Sequence, residues 1–118
     1  MRINSAASLL LIYRIAASIA APWIPLVLRR RVKEGKEDLS RLNERFGETS
    51  VIRPAGPLVW FHAASVGELF SLLTLMQLLP KNLPQFTSLV TTGTVTSAKL
   101  ALERLPSGAI HQLSLIHI

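Results

Sequence analysis

The chain has 118 residues, 49% of them hydrophobic and only 17% charged, and its 13 Lys and Arg against 7 Asp and Glu give a net charge of +6. Together with a mean hydropathy of +0.38, this composition lies on the apolar side of soluble proteins and calls for a membrane segment, which leaves one small domain at most. The absence of cysteine excludes a disulfide framework or thiolate metal site, the three histidines at 62, 111 and 117 lack metal-ligand spacing, and no cofactor is expected. The basic residues crowd between Arg29 and Arg53, just after the apolar segment, instead of lying along a helix interleaved with base-stacking aromatics, a pattern that points to anionic lipid or phosphate before nucleic acid.

Residues 5–28, SAASLLLIYRIAASIAAPWIPLVL, hold one charge, Arg14, and are long enough to cross a hydrocarbon core of about 30 Å as an anchor helix. Arg14 near the centre costs about 2.5–3.5 kcal/mol on an insertion scale. Pro22 and Pro25 predict a kink or an early end, so a helix lying in the interface is the alternative to a spanning one. The RRRVK run at 29–33 makes this flank cytoplasmic by the positive-inside rule. Ser18-Ile19-Ala20 resembles a signal-peptidase site, but Arg14 interrupts the apolar stretch that a cleavable leader needs.

Residues 29–56 read as the basic flank, a charged helix and a linker. In KEGKEDLSRLNERF, 33–46, Leu39, Leu42 and Phe46 recur at helical spacing among charges of both signs, which predicts a mostly solvated helix with Gly47 just past its end. TSVIRPAGP, 49–57, carries two prolines and a glycine and reads as the linker.

From 57 to 112 the pattern alternates. PLVWFHA at 57–63 predicts a first buried strand; ELFSLLTLMQLL at 68–79 puts Leu69, Leu72, Leu73, Met76 and Leu79 on one helical face before Pro80. FTSLVTT at 86–92 is a second strand and TSAKLALERL at 96–105 a second helix, stopped by Pro106-Ser107-Gly108, with a third apolar segment from Ala109. Strand, helix, strand, helix, strand is the pattern of a parallel, doubly wound α/β sheet. Such a sheet wants more strands than three, so the expectation is a fragment of a larger α/β protein, with LSLIHI at 113–118 a non-native tail.

In an open α/β sheet, ligands bind where strands end and helices begin. Ala63 to Glu68 occupies that place: Ala63, Ala64 and Ser65 are small, Gly67 has backbone freedom, and Glu68 stands at a helix start, where the macrodipole favours a carboxylate. Three readings stay open. Ser65-x-x-Glu68 has capping-box spacing. Small-x-Ser65-x-small has the spacing of a nucleophile elbow, which would make a serine hydrolase, although few acids and histidines follow to complete a triad. A membrane-anchored α/β module without enzymatic activity is the third. No phosphate-binding glycine motif occurs. TTGTVTS at 91–97 could hydrogen-bond a sugar or phosphate through Thr92, Gly93 and Thr94, or simply cap a helix. His62 reads as a satisfied buried histidine.

GPLVWFHAASVGE, LVTTGTVTS, the upstream RLNERFGE and the basic-flanked anchor together resemble the start of the 3-deoxy-D-manno-octulosonic acid (Kdo) transferases of lipopolysaccharide synthesis, from about residue 8 to Gln112. His-x-x-Ser-Val-Gly-Glu is the most specific part. The resemblance implies the incomplete Rossmann-like N-terminal domain of a GT-B glycosyltransferase, which passes Kdo from CMP-Kdo to lipid IV A at the cytoplasmic face of the inner membrane with inversion. It implies that Glu68 is the general base, with Ser65 and Gly67 positioning it. It also implies that the 118 residues, lacking the donor domain, are inactive alone. From their placement after the anchor, Arg29 to Lys36 are expected near lipid phosphates and anionic headgroups, with ordinary positive-inside topology without substrate contact as the alternative.

Overall fold

The computed structural model describes residues 5–49, 51–79 and 85–114, with Ser5 described for its backbone alone. The chain divides after Gly35 into two compact units.

The first unit is helical. α1 (Ser5–Ala20) runs into a 3-10 turn, Ala21–Trp23, and then α2 (Ile24–Lys33). Pro22 has no N–H to give the preceding turn, which tightens the helix locally, whereas Pro25 falls in the first turn of α2, where its N–H would have no partner anyway. The prolines therefore do not end the helix. Ala6–Lys33 forms a 28-residue helical run with a mean hydropathy of 1.7 over its most apolar stretch, none of which is buried. At 1.5 Å per residue it extends about 42 Å, more than the hydrocarbon thickness of about 30 Å. Leu9, Ile12, Tyr13, Ile19 and Trp23 lie exposed along it. The helix also ends later than the expected Leu28: Arg30, Arg31 and Lys33 sit in its last turn, where they complement the negative end of the dipole.

The second unit is a parallel three-stranded sheet in the order β1-β2-β3, with β1 at Leu58–Ala63, β2 at Thr87–Thr92 and β3 at Ile110–Leu113. α3 (Val66–Leu78) and α4 (Val95–Arg104) connect the strands and pack against each other. Alternation along the strands sorts the side chains. Ala63 and Val90 face the helices and form the core with Leu69, Leu73 and Ala101, flanked by the partly buried Phe61, Leu72, Met76, Leu100 and Leu105. Trp60, His62 and Thr91 share the opposite face, where the Trp60 indole N–H donates to Thr91 Oγ1 at 2.9 Å and His62 Nδ1 lies 2.8 Å from the same oxygen. Trp60 is 61% exposed and His62 is exposed as well. β1 is thus buried on its helix face only, and His62 is a surface histidine rather than a buried one. The architecture is the incomplete Rossmann-like α/β sheet that the resemblance implies, preceded in the chain by an apolar helix.

The charged segment differs most from expectation. Instead of a solvated helix over 33–46 there is a 3-10 segment, Leu39–Phe46, capped by Asp38, whose carboxylate accepts from Ser40 N at 2.9 Å, and ended by Gly47 at φ 80°. Leu39 and Phe46 are exposed, while Arg45 is 2% exposed. Of the three apolar residues at helical spacing only Leu42 is half-buried, so that spacing does not mark a buried face; a fully paired guanidinium holds the segment down. Leu113 and Ser114 also belong to this unit, Leu113 as a buried strand residue and Ser114 through its N–H to Thr92 O at 2.9 Å. The remaining positions of the expected tail, 115–118, and Pro80 lie outside the described residues.

Candidate functional site

The carboxyl ends of β1 and β2 stand side by side, because Ala63 pairs with Thr92. Two loops leave this edge. The first, Ala64-Ser65, turns into α3, and Ser65 is its N-cap at φ −135°, ψ 166°. Its hydroxyl accepts from Glu68 N at 3.2 Å, and the Glu68 carboxylate reaches back so that Oε2 accepts from Ala64 N at 2.6 Å. This is a capping box displaced by one residue at its return bond, since the donor is Ala64 rather than Ser65. One orphan donor of the helix start, Glu68 N, and one loop donor, Ala64 N, are satisfied, and the carboxylate is fixed at the sheet's carboxyl edge while remaining exposed. Gly67 lies within the first turn of α3 at an ordinary negative φ, and a Cβ there would meet only Ser65 Oγ at 3.9 Å. Its backbone freedom is not used; what it contributes is a bare surface beside Glu68.

The strained turn of a nucleophile elbow is not formed. Ser65 has extended dihedrals, and no non-glycine residue among those described has positive φ. Its hydroxyl is engaged in the cap.

The second loop carries the remaining sequence candidates. Thr92 is fully buried, with Oγ1 2.9 Å from His111 Nε2. Gly93 is buried and presents its carbonyl to Arg45 Nη1 at 2.8 Å. Thr94 is the N-cap of α4: its hydroxyl accepts from Ser97 N at 3.1 Å and donates to Ser97 Oγ at 2.9 Å. The structure therefore brings Ser65, Gly67, Glu68, Thr92, Gly93 and Thr94 to one edge of the sheet, but the hydroxyls of Thr92 and Thr94 already serve the fold. Among the described residues, no three His, Cys, Asp or Glu side chains converge as metal ligands.

Sequence reasoning missed the side chains beneath this edge. Arg41 forms a bidentate pair with Glu44 (2.9 and 2.8 Å) and also brings Nη2 within 2.9 Å of His111 Nδ1. Because a guanidinium only donates, Nδ1 accepts, and the ring proton sits on Nε2, directed to Thr92 Oγ1. Burial and the Arg41 charge push the His111 pKa down to about 4, against a smaller opposing pull from Glu44. Glu44 Oε2 accepts from Leu113 N at 2.7 Å, and Arg41 Nη2 donates to His111 O at 3.4 Å, so both act on the outer side of β3. Arg45 pairs with Glu37, with both side chains fully buried. The closeness of Arg41 and Glu44 in the chain was a signal of their pairing; nothing in the spacing pointed to His111 or Gly93.

Residues 40–116 match the family described as 3-Deoxy-D-manno-octulosonic-acid transferase (kdotransferase). The chain is 37% identical over 103 residues to a "Probable 3-deoxy-D-manno-octulosonic acid transferase, mitochondrial" of Arabidopsis thaliana, covering 87% of this chain and 23% of that protein. It is 36% identical over 102 residues to a 3-deoxy-D-manno-octulosonic acid transferase of Rickettsia bellii, covering 86% of this chain and 24% of the relative. It is 47% identical over 58 residues to one of Rickettsia felis, covering 49% of this chain and 12% of the relative. The chain thus spans about a quarter of the length of the first two, and no solved structure matches it. With the family matched across 40–116, from the 3-10 segment through all three strands, the chain belongs to the 3-deoxy-D-manno-octulosonic acid transferase family.

Proposed function

We propose that this chain supplies the acceptor side of a Kdo transferase that moves Kdo from CMP-Kdo to lipid IV A, with Glu68 as the general base. The observation that carries the reading is the Glu68 carboxylate, exposed at the carboxyl end of β1 and fixed there by Ala64 N at 2.6 Å. Oε2 is engaged by that amide, so Oε1 is the oxygen that takes a proton. In the reaction, an acceptor hydroxyl oxygen attacks the anomeric carbon of Kdo, its proton passes to Glu68, and the bond to the phosphate oxygen breaks with its electron pair leaving on CMP. Attack opposite the leaving group inverts the anomeric centre, as in a GT-B enzyme whose second domain holds the donor. A base held in place in advance accelerates such a step by about 10²–10⁴-fold.

The apolar run Ala6–Lys33 supports an inner-membrane location, with the basic last turn of α2 on the cytoplasmic side near lipid phosphates. Ser65 and Gly67 serve the acceptor indirectly, by holding Glu68 and keeping its surroundings open; Thr92, Gly93 and Thr94 form the neighbouring wall.

The test is transfer of labelled Kdo from CMP-Kdo to lipid IV A by membranes of cells expressing the complete reading frame, as the parent sequence and as Glu68→Gln. The parent should transfer, and the variant should lose at least about 10²-fold in rate with acceptor binding retained. A Glu68→Gln enzyme of undiminished rate would refute the assignment.

A further inference from the structure

Arg45 belongs to a 3-10 segment whose apolar residues Leu39 and Phe46 face water, yet its own side chain is fully buried. Nε and Nη2 donate to Glu37 Oε2 at 3.0 and 2.7 Å, while Nη1 donates to Gly93 O at 2.8 Å and to Ser114 O. A buried ion pair is a poor device for stability alone, because apolar residues of similar volume do as well or better. A guanidinium does, however, provide a rigid planar fork that fixes the direction of its acceptors. Here two of those acceptors are the carbonyls that follow β2 and β3. In a trans peptide the C=O and the next N–H point in opposite directions. Holding Gly93 O against the buried guanidinium therefore turns Thr94 N–H the other way and sets the Thr94 cap from which α4 begins. This loop adjoins the one bearing Glu68 through the Ala63–Thr92 pairing.

We propose that Arg45, aimed by Glu37, is a positioning residue for the acceptor cleft: it fixes the Gly93–Thr94 peptide and the end of β3, and so sets the height of the wall beside Glu68. The proposal rests on the reading of these strand ends as the acceptor side of the transferase. Lysine keeps the charge and the Glu37 pair, but its single nitrogen cannot also hold both carbonyls.

The experiment uses the full chain in detergent micelles, as the parent, Arg45→Lys, Glu37→Gln and, for comparison, Leu73→Val, which loosens the core without touching the loop. Residue-resolved amide exchange is read at Ser97 and Ala98, which donate to Thr94, and at Ser114, which donates to Thr92 O. The reference is Leu69, whose N–H donates to Ser65 O. Arg45→Lys should speed exchange at the first three by about tenfold or more and leave Leu69 at its parental rate, with Glu37→Gln intermediate. Its affinity for lipid IV A should fall by about tenfold, whereas Leu73→Val should leave that affinity unchanged. Unchanged exchange in Arg45→Lys, or a uniform loosening or collapse that includes Leu69, overturns the positioning role. If the parent itself fails to bind lipid IV A, the acceptor reading falls, while the exchange pattern still decides what Arg45 does to the loop.

Discussion

His111 makes the second unit acid-sensitive in a defined window. Its ring is clamped as a neutral imidazole, with Arg41 Nη2 on Nδ1 and Thr92 Oγ1 on Nε2, and its pKa is pushed from the ordinary 6.5 down to about 4. As pH falls through 6.5 the unfolded chain takes up this proton and the folded chain does not, so acid favours unfolding until about 4, where the native ring titrates too. The stability contribution is therefore complete above the upper value and is lost progressively between the two. At 1.36 kcal/mol per pKa unit the difference amounts to about 3 kcal/mol; because the ring is partly open to water, about half of that is expected. Denaturant midpoints of the detergent-solubilised chain from pH 7.5 downward, compared with His111→Gln, measure it: the parent should lose about 1.5 kcal/mol more than the variant across the window. Equal pH slopes in the two proteins, or an NMR titration of the ring centred near 6.5, would refute the clamp.

Three further outcomes follow from the same contacts. Ser65→Ala removes the acceptor for Glu68 N and should cost about 1 kcal/mol in denaturant stability, while leaving the Ala64–Glu68 bond to hold the carboxylate. Leu69→Ala opens the core at a side chain 1% exposed and should cost about 2–5 kcal/mol, read as a lowered denaturant midpoint. Gly47→Ala should cost about 1 kcal/mol purely through its φ of 80°, since no atom lies within 4 Å of the added methyl; Gly47→Asn, which tolerates that backbone better, should cost less by the same measurement.

The alternating elements were legible because their apolar periods are local. A strand expected at 57–63 is found at Leu58–Ala63, and a helix expected at 68–79 at Val66–Leu78. Ser65 and Glu68 were legible for the same reason, being three residues apart. The helix in fact starts before Glu68, because a capping residue at Ser65 places Glu68 in the third helical position rather than the first. What stayed hidden depends on partners distant in sequence: Arg45 meets Gly93 across 48 residues, and Arg41 meets His111 across 70. Charged side chains in a polar segment read as solvated, and only the sheet's geometry turns them inward. Leu39 and Phe46 misled in the complementary way, since apolar spacing marks a buried face only where something lies against it.

A sheet edge is ordinarily an open invitation to a further strand, but the two edges of this one are unequal. Along β3 the outward N–H of Leu113 and C=O of His111 are already answered by Glu44 and Arg41, two side chains standing where a neighbouring backbone would run. Among the described residues, β1, at the other end of the order, has no strand on its outer side. The sheet is therefore a one-sided template. A strand that joins it joins along β1, and two copies that meet edge to edge meet there as well, whereas the side held by the 3-10 segment stays closed to both.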